Sequence, residues 1–152
     1  MTTTTTTTTT IGTRRSNTRH HTLRAAALTT GAALAANLAV FGVARARNVS
    51  FQFPRPGSAG TQSVTAGAVA AVTVMTMILG WALAARAASH HRSLRTMAII
   101  GAVLAVMSIV APLTTDADLS VKVTLASLHV ITGGLYVVGV AWLHRTNQGA
   151  VR

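Results

Sequence analysis

The chain has 152 residues, of which 50% are hydrophobic, 10% are charged and none is cysteine. The lack of cysteine excludes disulfides, thiolate catalysis and metal sites built from cysteine. A formal net charge of +11 would favour nucleic-acid binding in a soluble protein. No basic stripe in this chain interleaves with the aromatic residues that stack on bases, so we expect no nucleic-acid partner.

Four apolar stretches follow one another along the chain, and charged residues are concentrated in the segments between them. The stretches are residues 25–44, 64–85, 96–113 and 123–143. Each has about the 20 residues that a helix needs to cross the hydrocarbon core of a bilayer. The sequence therefore predicts an all-α membrane protein with a domain over residues 23–145, in which four transmembrane helices form an up-down bundle.

The two ends of the chain are polar. Residues 1–22 start with a run of threonines and continue with threonine, arginine and histidine. This composition shows no apolar periodicity and predicts a disordered tail; residues 146–152 form a second, short tail. The first span also resembles a secretory signal whose cleavage site would lie at residues 44–46. Cleavage there is the alternative to a retained first helix.

The first connection, residues 45–63, is long for a loop between two helices and is a candidate for structure or function of its own. Val49, Phe51 and Phe53 alternate with polar residues in it. This alternation predicts a short extended segment that lies on the membrane surface.

Basic residues are distributed unequally over the two sides of the predicted bundle. The side with both termini and the second connection carries nine Lys and Arg residues, and the other side carries four. The positive-inside rule then places both termini in the cytoplasm. Trp81 and Trp142 fall at cytoplasmic helix ends, where indole rings favour the headgroup zone. We expect a multi-pass protein of the bacterial plasma (inner) membrane whose basic side contacts anionic lipid headgroups.

Small residues recur at every fourth position along the first span, at Ala27, Gly31, Ala35 and Ala39. This spacing allows two helix backbones to approach closely in lipid. Packing inside the bundle is the favoured interpretation of this stripe. An interface with a second copy or with another membrane protein is the alternative.

Polar residues within the spans are candidates for function because burying them in lipid is costly. Asn37, Ser108 and His129 lie at similar depth below the outer face, and Tyr136 shares the face of His129 on the fourth span. We predict a polar cluster of these four residues in the outer half of the bundle. It is either an interhelical hydrogen-bond latch, which we favour, or a small binding pocket that responds to protons through histidine.

The chemistry of the remaining polar residues points away from catalysis. Thr115, Asp116 and Asp118 precede the fourth span and are expected to cap its helix, where carboxylates favour the positive N-terminal end. The histidines outside the spans lack the spacing of metal ligands on a helix. With two acids and no nucleophile–base arrangement, we expect no catalytic residue, no metal and no cofactor, and therefore no enzyme.

The second and fourth spans share a weak pattern. Thr73 and Gly80 in the second match Thr132 and Gly139 in the fourth, with the same spacing of seven residues. A duplicated helical hairpin would produce such a match. Internal duplication is therefore a hypothesis that the structure can address.

Several segments carry a resemblance to a known family. They are residues 33–41 (ALAANLAVF), 51–54 (FQFP) with the glycine-containing stretch after them, 112–119 (PLTTDADL) and 125–133 (LASLHVITG). Over residues 23–143 the chain resembles a family of small bacterial four-helix membrane proteins of uncharacterised function. The resemblance implies the four-span fold and a plasma-membrane location, and it implies no activity.

These observations favour a non-enzymatic membrane protein with a structural or accessory role. The alternative is a small transporter or channel that works as an oligomer, with His129 and Asn37 near its path.

Overall fold

The computed structural model describes residues 10–54, 60–89, 94–114 and 117–149. Its four helices are α1 (Thr10–Ala46), α2 (Ala66–Ser89), α3 (Leu94–Leu113) and α4 (Leu119–Gly149), and its two strands are β1 (Gln52–Pro54) and β2 (Thr61–Ser63). The strands pair antiparallel as a hairpin between α1 and α2. Each helix contains a stretch long and apolar enough to cross a membrane. The four apolar helices expected from the sequence are thus confirmed.

Helix α1 begins earlier than expected. Its apolar part runs from His20 to Ala46, 27 residues, which is about 40 Å of helix against about 30 Å of hydrocarbon. The helix also includes residues 10–19, which the sequence predicted to be disordered. Extending an existing helix adds a hydrogen bond per residue without a new nucleus, so polar residues beside an apolar span can join it. Residues 1–9 of the expected tail lie outside the described residues.

Side-chain contacts between the helices define their relative directions. Thr29 and Asn37 of α1 bond to Trp81 and Thr73 of α2, respectively. Residue numbers therefore rise along α1 while they fall along α2, so the two helices are antiparallel. Helix α4 is also antiparallel to α1, because Asn37 bonds to Thr132, whereas Thr29 lies against the later Gly139.

Helix α3 packs mainly on α4. Gly101 and Ala105 of α3 lie against Tyr136 and Gly133 of α4, respectively. A Cβ atom on Gly133 would overlap that of Ala105, so the two backbones approach as closely as glycine permits. Gly101 and Ala105 therefore pack against α4 inside the bundle, where small residues allow close contact between helices.

The small-residue stripe of α1 lies on the opposite side of the helix from the bundle core. Ala27, Gly31, Ala35 and Ala39 are all exposed, and a Cβ atom added to Gly31 would meet nothing within 4 Å. Packing inside the bundle, the favoured interpretation of this stripe, is wrong. The buried residues of α1 are offset from the stripe by two positions, which is a rotation of about 200° around the helix.

Helix α1 ends in a turn that directs the chain back over the bundle. Asn48 has a positive φ of 59°; its N–H donates to the Arg45 carbonyl at 3.0 Å, and the Val49 N–H donates to the Ala44 carbonyl at 3.0 Å. This is a Schellman motif, in which asparagine adopts the left-handed conformation that most residues avoid.

The turn places the hairpin against the end of the bundle. Phe51 is fully buried, and its ring centroid lies 4.8 Å from that of Phe41. Phe51 packs in one cluster with Val69 of α2 and Leu128 of α4. The segment is extended, as expected, but Phe51 inserts between the helices instead of lying on the membrane surface. Complete removal of a phenylalanine ring from water is worth a few kcal/mol, roughly 1.5–3 by transfer, which favours insertion.

The starts of α2 and α4 each have an N-cap residue, and the sequence predicted the one at α4. The Thr65 hydroxyl accepts the Ala68 N–H at 3.1 Å and caps α2. At α4 the Asp118 carbonyl accepts the N–H groups of Val121 and Lys122, each at 3.0 Å, so Asp118 occupies the N-cap position. Capping by its carboxylate stays a prediction, and Thr115 and Asp116 lie outside the described residues.

Candidate functional site

Asn37 is the centre of a buried polar junction between three helices. Its side chain is 1% exposed. The Asn37 Nδ2 donates to Thr73 Oγ1 of α2 at 2.9 Å and to Thr132 Oγ1 of α4 at 2.8 Å. Interhelical hydrogen bonds in a membrane are worth about 1 kcal/mol each. One amide of α1 therefore fixes the rotation and height of both neighbouring helices.

The carbonyl half of the same side chain is not satisfied. The Asn37 Oδ1 atom is buried and has no hydrogen-bond partner. An unsatisfied buried acceptor costs about 1–3 kcal/mol. The junction thus combines two good bonds with one unmet group, and unmet polar groups in a native interior require an explanation.

His129 and Ser108, two members of the predicted polar cluster, use their side chains within their own helices. The half-buried His129 donates from Nδ1 to the Leu125 carbonyl at 2.8 Å. The Ser108 hydroxyl donates to the Ala105 carbonyl at 2.8 Å. Neither is hydrogen-bonded to Asn37 in the described part of the chain, so the partners of Asn37 in the junction are other residues than the sequence indicated.

Tyr136, the fourth member, fills a slot lined by glycine. Its hydroxyl donates to the Gly80 carbonyl of α2 at 3.2 Å. A Cβ atom on Gly80 would come within 2.9 Å of the Tyr136 ring, and one on Gly101 of α3 would overlap the ring. The ring also meets Trp81 edge to face, with centroids 6.1 Å apart. Tyr136 therefore links α4 to both α2 and α3, one to two turns from the Asn37 junction.

A further polar contact joins α1 and α2 near the other end of the bundle. The Trp81 Nε1 donates to Thr29 Oγ1 at 3.2 Å, and the Thr29 hydroxyl donates to the Ala25 carbonyl at 2.8 Å. A Cβ atom on Gly139 would lie 2.8 Å from both the Thr29 and the Trp81 side chains. Glycine at this position of α4 is what allows the indole ring to enter the bundle.

The two threonines that accept from Asn37 were not among the predicted site residues, although the sequence contained a signal for them. Thr73 and Thr132 are matched positions of the weak repeat, and both bond to the same amide. The matched Gly80 and Gly139 each make room for an aromatic ring. These paired contacts are what a duplicated hairpin would provide; the duplication itself stays a hypothesis.

The functional groups of the junction limit its chemistry. It consists of one amide and two hydroxyls, which form hydrogen bonds but do not titrate near neutral pH. Among the described residues, no group of three or more His, Cys, Asp or Glu is placed to hold a metal ion. The junction is therefore suited to holding helices together.

Comparisons with known proteins place the chain in a family. Residues 17–146 match a family of unknown function, DUF6069. No curated protein and no solved structure matches the chain. The match covers the four apolar helices and the hairpin between the first two. The chain belongs to the DUF6069 family of unknown function, with a fold of four helices each long and apolar enough to cross a membrane.

Proposed function

We propose that this protein is a non-enzymatic structural or accessory component of the bacterial plasma membrane. The observation that carries the proposal is the use of its interior polar groups, which bond helix to helix. Asn37 joins α1 to α2 and α4, and Tyr136 joins α4 to α2. Alanine-rich helices gain little shape specificity from their side chains, so such bonds determine which faces meet.

Both termini of this protein face the cytoplasm in our proposal. Since neighbouring helices are antiparallel, the start of α1 and the end of α4 lie at the same end of the bundle. This end carries most of the basic residues, whereas Asp118, at the start of α4, belongs to the opposite end. The positive-inside rule then assigns the basic end to the cytoplasm.

Single-cysteine labelling tests this orientation cleanly, because the native chain contains no cysteine. Ser50 and His21 are exposed residues at opposite ends of the bundle. A membrane-impermeant maleimide added to intact cells should label Ser50→Cys and should reach His21→Cys only after permeabilisation. The reverse pattern would place the termini outside and refute the proposed orientation.

Anionic phospholipid headgroups are the proposed counterions of the basic end. Exposed arginines there include Arg24 of α1 and Arg145 of α4. The chain has only two acids, and Asp118 lies at the other end. Juxtamembrane basic residues gain about 1 kcal/mol each near an anionic leaflet. Lipids that copurify with the protein should therefore be enriched in anionic species over the host membrane.

A second copy of the chain, or another membrane protein, is the proposed occupant of the exposed α1 stripe. The stripe consists of small residues, whereas the exposed residues of α3 are mainly large, such as Ile99, Val103 and Leu104. A narrow face permits close backbone contact between helices, which large side chains prevent.

The alternative function is a small transporter or channel that works as an oligomer. The unsatisfied Asn37 Oδ1 favours it, because polar atoms at membrane depth can mark a pathway. Flux of protons and K⁺ into dye-loaded liposomes separates the two functions. A structural protein leaves flux at the level of protein-free liposomes. If the wild type shows flux above that level and Asn37→Leu abolishes it, the structural role is refuted and transport is supported.

A further inference from the structure

The Asn37 junction lies directly beneath the apolar layer that the hairpin completes. Each of the three helices in the junction contributes one residue to this layer, and that residue is four positions, about one helical turn, nearer the hairpin than the junction residue of the same helix. These residues are Phe41 of α1, Val69 of α2 and Leu128 of α4. Phe51, which is fully buried, belongs to the same cluster. The side chain of Phe51 therefore closes the bundle above the junction.

A second apolar layer lies on the other side of the junction. It includes Ala33 and Met77, each one turn further into the bundle than Asn37 and Thr73, and both are almost completely buried. This inner layer consists of helix residues alone. The outer layer is completed by a residue from a hairpin whose strands have three residues each and whose second strand is exposed throughout. Short two-stranded hairpins have little stability of their own, so the outer layer is the one that can open.

The unsatisfied oxygen of Asn37 lowers the cost of such an opening. Asn37 Oδ1 is buried without a partner while the hairpin is in place, and burial of an unpaired acceptor is unfavourable. Withdrawal of Phe51 exposes its ring, which is also unfavourable, but it allows water to reach Oδ1. The two free energies have opposite signs and similar magnitudes. Hydration of Oδ1 therefore offsets part of the cost of opening.

We propose that the hairpin is a lid on the Asn37 junction and that Phe51 is the residue that closes it. In the closed state Phe51 excludes water from the junction. When the hairpin withdraws, Asn37 and Thr73 become accessible from that end of the bundle. The lid goes beyond the proposed structural role, because it is compatible with both candidate functions. It would protect interhelical hydrogen bonds from water in a structural protein, and it would control entry to the interior in a transporter.

Cysteine reactivity at the junction tests the lid. Thr73→Cys places a single thiol in the chain, which contains no native cysteine. The full chain in lipid nanodiscs is treated with a charged methanethiosulfonate, which stays out of lipid and reacts with the thiolate that forms where water reaches the site. Labelling should be slow with the native hairpin and about ten- to a hundredfold faster in Thr73→Cys combined with Phe51→Ala, because opening then exposes no phenylalanine ring.

Gln52→Ala is the matched control, since Gln52 is the exposed neighbour of Phe51 in the same hairpin. It should leave the labelling rate of Thr73→Cys unchanged. Equal rates with Phe51 and with Phe51→Ala would overturn the proposal.

A second reporter separates opening of the lid from loss of the fold. Ala33→Cys places the thiol in the inner layer, at a position that is 0% exposed, and should stay protected when it is combined with Phe51→Ala. An equal rise in labelling at Ala33→Cys and Thr73→Cys would also overturn the proposal, because Phe51 would then hold the whole bundle together instead of covering the junction. Nanodiscs leave both ends of the bundle open to the reagent, so the result does not depend on the proposed orientation.

Discussion

Helix α1 carries two stripes of residues spaced by four; one is buried in the bundle and the other is exposed. The inward stripe includes Ala25 and Ala33, both 0% exposed, and Asn37, 1% exposed. The outward stripe, Ala27, Gly31, Ala35 and Ala39, is exposed along its length. Both stripes contain alanine; what distinguishes the inward one is that it also carries the larger polar and aromatic side chains of Asn37 and Phe41.

That difference shows which forces orient a helix in this bundle. A stripe of alanine and glycine permits close approach but offers no specific partner. Asn37 donates hydrogen bonds to two threonines, and the Phe41 ring packs on the Phe51 ring. These contacts rotate α1 so that the polar and aromatic positions face the bundle, and the purely small stripe is left on the outside.

The largest effect on stability is expected at the aromatic end of the inward stripe. Phe51→Ala removes a fully buried ring and should lower the free energy of unfolding by about 3 kcal/mol. Titration with SDS in detergent micelles measures it. Phe53→Ala, in the same hairpin but only half-buried, is the control. Equal losses for the two variants would show that Phe51 does not anchor the hairpin.

A leucine placed on each stripe compares the two faces directly. Ala33→Leu inserts extra atoms where α1 is completely buried and should cost about 1–3 kcal/mol. Ala35→Leu makes the same change on the outward stripe, where the residue is exposed, and should leave the free energy of unfolding nearly unchanged. If Ala35→Leu were the more damaging variant, the rotation of α1 described above would be wrong.

Removal of the polar junction should have a smaller effect. Asn37→Leu deletes two hydrogen bonds, at about 1 kcal/mol each, and it also removes the unsatisfied Oδ1 atom, which offsets part of the loss. We expect a net destabilisation of about 1 kcal/mol in the same SDS titration. Thr76→Val, at an exposed position of α2, is the control and should have no measurable effect.

The smallest effect on folding, and a diagnostic effect on association, is expected at Gly31. Gly31→Leu adds a side chain where an added Cβ atom meets nothing within 4 Å, so the free energy of unfolding of the single chain should hardly change. If the outward stripe contacts a second copy, the same variant should reduce energy transfer between donor- and acceptor-labelled chains in bilayers. If wild-type chains associate and Gly31→Leu leaves the energy transfer unchanged, this stripe is not the interface.

Part of the candidate site was readable from the sequence. Asn37 is conspicuous because an amide at membrane depth is costly and requires a partner. The sequence pointed to His129 and Ser108 as partners on the basis of depth, but each bonds to a carbonyl of its own helix. Serine and threonine side chains can bond to a backbone carbonyl in the preceding turn of their own helix, and the His129 ring does the same here. Depth alone therefore does not reveal which side chains cross between helices.

The sequence by itself determined that four helices form and where their apolar parts lie, because a bilayer requires long stretches of apolar residues whose backbone groups are satisfied within the helix. That requirement is local, so composition is enough to predict it. Only the tertiary structure decided that Asn37 meets Thr73 and Thr132, that Phe51 enters the bundle, and that the outward stripe of α1 stays uncovered. Those outcomes depend on how the helices rotate against one another, and rotation is decided by the sum of many contacts between residues far apart in the chain.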